Sequence, residues 1–299
     1  MNSEMTNRTS SGNSPNEESQ NVQTETGRLR PLFDAEMGRQ LPLRILLAED
    51  NAGNQKLMLH LLERMGYQAD VVGNGREAVE ALERQPYDLI LMDIQMPEMD
   101  GVEATRMIRA SRLGELRPYI VAVTTSIKGE RGSYLAAGMD DYVGKPIQIQ
   151  DLIEALKRAA GSRERGDGQW GKTADDDPHE DELGIDPVPL QNLSELVGDD
   201  EAFLEELIGT YLEEAPKMIA EMKRAVAEND APALRLTAHT LKSNSADFGA
   251  MILSELSKQL EIMGQEEQLG GAAALMPEVQ SEFEKAESIL RDILKQEYK

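Results

Sequence analysis

The chain has 299 residues, 40% of them hydrophobic, and a formal net charge of −24. This length allows about two domains, and the absence of cysteine excludes disulfide bonds and thiolate metal sites. No segment has more Lys and Arg than Asp and Glu, so a nucleic-acid surface has no electrostatic support. No apolar run approaches the roughly 20 residues needed to cross a membrane, and the N-terminus lacks a secretory signal. We therefore expect a cytoplasmic protein without membrane insertion.

The first part of the chain divides into a polar leader and an alternating segment. Residues 1–41 are predicted to be a disordered N-terminal segment because they lack a sustained apolar period. Between residues 42 and 160, strand-like and helix-like runs alternate. The predicted strands are Arg44–Ala48, Ala69–Val72, Asp88–Met92, Tyr119–Val123 and Asp141–Val143, and the predicted helices are Gln55–Met65, Arg76–Gln85, Val102–Arg112, Glu130–Ala137 and Gln148–Ala159. This alternation predicts an α/β doubly wound, five-stranded parallel sheet.

Polar side chains stand where four of these strands end. Glu49 and Asp50 follow the first strand, Asp93 the third, Thr124 the fourth and Lys145 the fifth. Open α/β sheets bind their ligands at the carboxyl ends of the strands. Each residue alone is equally compatible with a helix cap or a solvated charge. Together they predict one polar site at that edge.

The residue types indicate phosphoryl chemistry. Three carboxylates without His or Cys favour a small hard cation such as Mg²⁺. Lys145 would neutralise phosphoryl oxygens, and the Thr124 hydroxyl would donate to one of them. Asp93 is then the candidate nucleophile, forming an acyl phosphate.

These residues lie within longer motifs: RILLAEDN at 44–51, LILMDIQMPEMDG at 89–101, AVT at 122–124 and DDYVGKP at 140–146. With them, residues 42–160 resemble the receiver domain of two-component response regulators, which has a flavodoxin-like fold. The resemblance implies that Asp93 is the phosphoacceptor and that Lys145 contacts the phosphate. It implies that Thr124 and Tyr142 rearrange on phosphorylation. Its implied Mg²⁺ ligands are Glu49, Asp50, Asp93 and the backbone carbonyl of Gln95.

The remaining chain is a linker followed by helices. Residues 161–186 contain 3 basic and 9 acidic residues and repeated Gly, which predicts an acidic flexible linker. Residues 187–299 show only helical periodicity, which predicts a separate all-α four-helix bundle with a short lead-in helix and a kink or break at Pro216. The predicted helices are Leu190–Val197, Asp200–Glu228, Ala231–Phe248, Ile252–Met263 and Ala272–Lys295.

One histidine of this bundle has unusual neighbours. His239 lies roughly opposite the apolar stripe of its helix, so we expect its ring to face solvent. Its helical neighbours are Arg235, Lys242, Ser243 and Ala246. Adjacent cations lower the pKa of a histidine and favour the nucleophilic neutral ring. The alternative is a chance surface histidine.

The segment AHTLKSNSADFGA at 238–250 supports the functional interpretation. It resembles the His-x-x-Lys signature of histidine-containing phosphotransfer domains, and residues 187–299 as a whole are similar to such a domain. The resemblance implies that His239 is the phosphorylated residue and Lys242 its phosphate partner.

The two resemblances together predict a phosphorelay signal transduction protein. Asp93 would accept a phosphoryl group from an upstream histidine kinase, and His239 would relay it to a downstream response-regulator receiver. No ATP-binding kinase core is recognisable, so we expect a phosphoryl-transfer module and no stand-alone enzyme. The alternatives are a phosphate sink running from His239 to Asp93, an interaction module switched by its receiver, and the detached C-terminal part of a hybrid histidine kinase. Transfer within or between chains is left open.

Overall fold

The computed structural model describes residues 34–111, 117–125, 131–165, 193–194, 196–197 and 200–296. Most of the predicted N-terminal segment and most of the predicted linker lie outside these ranges. Where they are described, both contain helix: a one-turn helix α1 at Met37–Gln40, and the last receiver helix, which runs on to Arg165. None of the described helices has a stretch long and apolar enough to span a membrane.

The alternating segment folds into a five-stranded sheet flanked by helices. Its strands are β1 Ile45–Ala48, β2 Ala69–Val72, β3 Leu89–Asp93, β4 Tyr119–Thr124 and β5 Asp141–Gly144, and its helices are α2 Ala52–Arg64, α3 Gly75–Arg84, α4 Gly101–Ala110, α5 Arg131–Ala137 and α6 Ile149–Arg165. The strand order is β2-β1-β3-β4-β5, with every pair parallel. The predicted doubly wound parallel sheet is confirmed.

Both faces of the sheet are buried, because side chains alternate sides along each strand. The odd-numbered residues of β1 pack beneath α2 and α6. The even-numbered residues pack beneath α3, α4 and α5. The four residues of β1 and the first four of β3 are at most 2% exposed, so these two strands are fixed at the centre of the sheet.

Several helices begin at a side-chain cap. Asn51, Asn74 and Asp100 each accept a hydrogen bond from the backbone N–H three residues later, and Asp200 and Asp230 do the same in the C-terminal domain. Such caps satisfy otherwise unpaired N–H groups and stabilise a helix by about 1 kcal/mol each. The caps at Asn51 and Asp100 lie one and seven residues after Asp50 and Asp93, so they fix helix starts beside the acidic cluster.

The C-terminal domain is a helical bundle, as predicted. Its helices are α7 Glu201–Glu228, α8 Ala231–Asp247, α9 Met251–Gln265 and α10 Ala272–Gln296, with a 3-10 turn at Leu269–Gly271. The α7 helix continues through Pro216, so the break proposed there as one of two outcomes does not occur. Of the predicted lead-in helix, residues 193–194 and 196–197 are described and are helical.

Aromatic packing and one glycine set the position of α8 within the bundle. The Tyr211 ring of α7 stacks on Phe248 at 4.6 Å between centroids, and its hydroxyl lies 3.1 Å from Ser245 Oγ. On the other side, a Cβ on Gly264 of α9 would lie 2.7 Å from the Arg235 backbone nitrogen. The close approach of α9 to α8 therefore requires glycine at this position.

Gly101 gives a test of how tightly the fold positions the end of β3. An added Cβ would lie 2.1 Å from the Asp93 carbonyl oxygen. We therefore expect Gly101→Ala to destabilise the sheet by about 1–3 kcal/mol through overpacking. The measurement is native-state hydrogen exchange of the β3 amides in the full chain, which reports the opening free energy of this domain.

The matched control is Gly132→Ala in α5, where an added Cβ meets no atom within 4 Å. It should leave the opening free energy unchanged or raise it by up to about 1 kcal/mol, because alanine is the better helix former. Equal protection of β3 in the two variants would contradict the close packing at Gly101.

Candidate functional site

Three carboxylates meet at the carboxyl edge of the sheet. Glu49 and Asp50 follow β1 and Asp93 ends the adjacent β3, and one oxygen from each lies within 4.8 Å of the others. Glu49 is held in place by Asn54, whose side-chain amide donates to Oε1 at 2.9 Å. The structure thus brings together the three acidic residues that the sequence placed at strand ends.

A buried lysine, Lys145, bonds two carboxylates of this cluster. Lys145 Nζ donates to Asp93 Oδ2 at 2.6 Å and to Glu49 Oε2 at 2.7 Å, and its side chain is 6% exposed. Burial raises the pKa of Asp93, and the neighbouring Glu49 adds to the rise while Lys145 opposes it. Burial and Glu49 likewise raise the pKa of Asp50 to about 6. Three carboxylates sharing one ammonium leave the site short of positive charge.

The residues present fit a hard divalent cation. Their ligand atoms are carboxylate oxygens, and two negative charges remain when the three acids are ionised and Lys145 is protonated. Oxygen donors with this net charge are the ligands that Mg²⁺ prefers. Gln95 lies beside the cluster, and its backbone N–H donates to Asp93 Oδ1 at 3.2 Å.

Thr124 lies at the same edge of the sheet, at the end of β4, and is buried. Its hydroxyl lies 3.2 Å from the hydroxyl of Tyr134 in α5, a residue that the sequence did not single out. Tyr142 is half-buried on β5. The predicted rearrangement of Thr124 with Tyr142 stays a prediction, and Tyr134 is an additional partner of the threonine.

The second candidate site is the ring of His239, which is buried at 7% exposure. The expectation that it faces solvent is therefore wrong. A helical wheel considers only one helix, whereas α8 is packed on more than one side, so residues opposite its apolar stripe are also covered.

A carboxylate of the neighbouring helix orients this ring. His239 Nδ1 lies 2.7 Å from Glu261 Oε1 of α9. Lys242 Nζ donates to Glu261 Oε2 at 2.6 Å and lies 3.4 Å from Nδ1. Burial acts to raise the pKa of Glu261, but its bonds to His239 and Lys242 outweigh burial and lower it to about 2. The ionised carboxylate accepts a hydrogen bond from Nδ1–H, which leaves Nε2 with a free lone pair.

The pKa of His239 is lowered, so the neutral ring predominates at neutral pH. Burial is the largest cause, the Glu261 hydrogen bond opposes it, and the Lys242 charge adds to the lowering. Lys145 of the sheet domain contributes to the same lowering. Burial raises the pKa of Asp247 at the end of α8 to about 7, and the charges of Lys145, which lowers it, and Glu49, which raises it, have smaller effects. The charges of the first site therefore reach the helix that carries the second.

Sequence reasoning found the titratable residues of each site but missed those that orient them. Glu261 is 22 residues from His239 on another helix, and Tyr134 is 10 residues from Thr124 across a helix–sheet contact. The one local signal was Gly264, a small residue one turn after Glu261. A glycine in a helix indicates that another helix packs closely there, but it does not indicate which residues come into contact.

The Glu261–His239–Lys242 arrangement predicts opposite pKa shifts in two variants. Glu261→Gln should lower the pKa of His239 further, because it removes the negative charge that favours the imidazolium. Lys242→Met should raise the pKa, because it removes a positive charge that opposes protonation. NMR titration of the ring protons of His239 in the wild-type chain and in each variant measures both. Shifts of the same sign in the two variants would contradict the arrangement.

Comparison with known proteins identifies both folded regions. Residues 45–157 match the response regulator receiver domain, and residues 206–289 match the Hpt domain. The receiver domain of sensor histidine kinase PA1611 from Pseudomonas aeruginosa, a structure with a coordinated magnesium ion, is 44% identical. That match covers 40% of this chain and 98% of the other, with a TM-score of 0.38.

Two sensor kinases are similar to this chain over more than two thirds of its length. Sensor histidine kinase GacS from Pseudomonas protegens is 30% identical over 240 residues, which cover 78% of this chain and 25% of the kinase. Aerobic respiration control sensor protein ArcB from Escherichia coli is 26% identical over 219 residues, which cover 73% of this chain and 28% of that protein. The chain thus spans about a quarter of these relatives. Its response regulator receiver domain followed by an Hpt domain indicates phosphorelay signalling.

Proposed function

We propose that this chain carries out two successive phosphoryl transfers, from a separate histidine kinase to Asp93 and from Asp93 to His239. The observation that supports this most strongly is the combination of a buried carboxylate cluster with its lysine and an oriented neutral histidine in one chain. Lys145 bonds directly to Asp93 and acts electrostatically on His239.

In the first transfer, an Asp93 carboxylate oxygen attacks the phosphorus of a phosphohistidine on the kinase. The new P–O bond forms as the P–N bond breaks, and the leaving imidazole keeps the electron pair. The Lys145 ammonium, already 2.6 Å from Asp93 Oδ2, stabilises the charge on the phosphoryl oxygens. Mg²⁺, held by Glu49, Asp50, Asp93 and the Gln95 backbone carbonyl, would supply further positive charge there.

The Thr124 hydroxyl is the candidate donor to a phosphoryl oxygen on Asp93. A threonine hydroxyl has one proton, so donating it to the phosphoryl oxygen would leave Tyr134 as the donor in the contact between their hydroxyls. Tyr142 lies on β5, the strand next to β4, and is the residue expected to rearrange together with Thr124.

In the second transfer, His239 Nε2 attacks the phosphorus of the acyl phosphate. The P–N bond forms as the P–O bond to Asp93 breaks, and Asp93 returns to a carboxylate. Glu261 holds the Nδ1–H tautomer and compensates the positive charge that develops on the ring. Lys242 is bonded to Glu261 on the Nδ1 side of the ring, so it would have to leave that carboxylate to contact a phosphoryl group on Nε2.

The partners in this scheme are an upstream histidine kinase and a downstream receiver that accepts the phosphoryl group from His239. The same contacts also serve the reverse transfer from His239 to Asp93, which would make the chain a phosphate sink. Timed loss of phosphate from His239, with Asp93 present and with Asp93→Asn, separates the directions. Faster loss with Asp93 present indicates the sink.

The order of transfer is tested with radiolabelled acetyl phosphate, a small acyl phosphate that donates to aspartate. The wild-type chain should acquire acid-labile, base-stable label at His239. Asp93→Asn should abolish that label, and His239→Gln should retain the label as base-labile acyl phosphate on Asp93. Both results follow because the label reaches the histidine only through the aspartate.

Asp100→Asn is the matched control, since it makes the same substitution seven residues away at a helix cap that asparagine also serves. It should behave as the wild type. Labelling of His239 at the wild-type rate in Asp93→Asn would overturn the proposed order.

A further inference from the structure

The receiver and the Hpt bundle of this chain pack against each other through α2 and α7. Lys56 Nζ of α2 donates to Glu206 Oε1 at 2.6 Å and to Thr210 Oγ1 at 3.1 Å. One turn further along α2, the His60 ring stacks on Phe203 with 3.8 Å between centroids and 10° between planes. We call the whole contact between α2 and the N-terminal part of the bundle, from Lys56 to Arg64 on the receiver side, the seam.

The seam continues in a regular order. Another turn along α2, Arg64 donates to the Leu196 carbonyl oxygen at 3.2 Å. Lys56, His60 and Arg64 recur every four residues, so they form one stripe of the helix. Their partners on the bundle come at decreasing residue numbers, which shows that α2 and α7 run antiparallel. Because three successive turns of α2 each contact the bundle through this stripe, the two surfaces are complementary over that length.

Apolar packing fills the centre of this contact. Leu57 is 8% exposed in the packed chain, and the buried residues of the two domains form one cluster. The void that Leu57 shares with Leu193 and Leu207 has a volume of about 20 Å³, room for about one water molecule. The receiver and the bundle both carry net negative charge, so packing and the specific ion pair offset a general repulsion.

One end of the seam lies beside the phosphoacceptor site. The N-terminal end of α2 follows directly on Glu49 and Asp50, and its Asn51 and Asn54 line the same void as Asn244 and Asp247 of α8. The C-terminal end of the histidine-bearing helix therefore lies at the receiver's active edge. Asp93 and His239 are only 4% and 7% exposed in this arrangement.

We propose that the seam holds the bundle over the receiver site in a closed state, which serves transfer from Asp93 to His239 and excludes an outside histidine donor. This inference rests on the proposed relay. An outside donor must bring its own phosphohistidine to Asp93 across the edge that α8 covers. We call phosphorylation of Asp93 by an outside donor loading, and transfer from Asp93 to His239 relay. Loading requires the seam to open, whereas relay requires it to close.

The test uses Glu206→Lys, which places two ammonium groups opposite each other and leaves the receiver surface unchanged. Because the Lys56–Glu206 pair is half-exposed, we expect effects of about three- to tenfold. Transfer from Asp93 to His239 within the chain should slow by that factor. The double variant Lys56→Glu with Glu206→Lys should restore it, and Glu228→Lys, the same charge change at the far end of α7, should have no effect.

Loading is measured between two forms of the full chain. The donor is Asp93→Asn, charged on His239 with a small phosphoramidate, and the acceptor is His239→Gln. Adding Glu206→Lys to the acceptor should speed loading of its Asp93 about three- to tenfold, because its own bundle moves away while its receiver surface stays intact. Unchanged loading, or loading that slows together with relay, would overturn the closed state.

Hydrogen exchange of α2 in the same variants gives a readout that needs no phosphate. Exchange should accelerate in Glu206→Lys and return to the wild-type rate in the double variant. In the wild-type chain, Asp93 could become labelled without any label reaching His239 while the α2 amides stay protected from exchange. That result would contradict the proposed relay but would leave the contact between the two domains supported. If Glu206→Lys leaves the exchange of α2 unchanged, the seam is wrong whatever the relay does.

Discussion

The chemistry of this chain depends on one buried lysine shared by two carboxylates. β5 is separated from β3 by β4, so only a long side chain from the turn after β5 can reach the acids that follow the central strands. Lys145 makes both bonds, to Glu49 and to Asp93, from an almost fully buried position. Because one ammonium cannot compensate three carboxylates, the site retains an attraction for a cation, which would also offset the negative charge of an incoming phosphoryl group. The Lys145 charge also makes a small contribution to the lowered pKa of His239.

In the bundle, the surroundings of His239 keep its buried ring neutral and nucleophilic. Burial lowers the pKa of the His239 ring and keeps it neutral, but burial alone would not select a tautomer. Glu261 selects it by accepting from Nδ1–H, and its bonds to His239 and Lys242 together keep Glu261 ionised. Gly264 permits this arrangement, because a side chain there would push α9 away from the backbone of α8. A carboxylate, a lysine and a glycine thus define the reactive nitrogen together.

The strand-end residues were predictable because a parallel sheet brings all carboxyl ends to one edge, and the alternation of strands and helices is visible locally. The burial of His239 was not, because it depends on neighbours from outside its own helix. For the same reason, the only local sign of Glu261 was Gly264 one turn later, which indicates a close helix–helix approach but no partner. Lys56 and His60 look like ordinary helix-surface residues until α7 is placed against them. Local periodicity therefore defines the elements and their chemistry, whereas the partners that orient each nucleophile come from packing between elements distant in the chain.

The central claim is that both transfer sites of one chain face each other across the seam, so that the phosphoryl group passes within the chain. The most direct test is the rate of label transfer from phosphorylated Asp93 to His239 over a wide range of protein concentration. Transfer within the closed chain predicts a first-order rate constant that does not change with concentration, and label that appears on an added Asp93→Asn chain much more slowly than on the His239 of the same chain. A rate that rises in proportion to concentration, with label appearing on the added chain, would contradict the account.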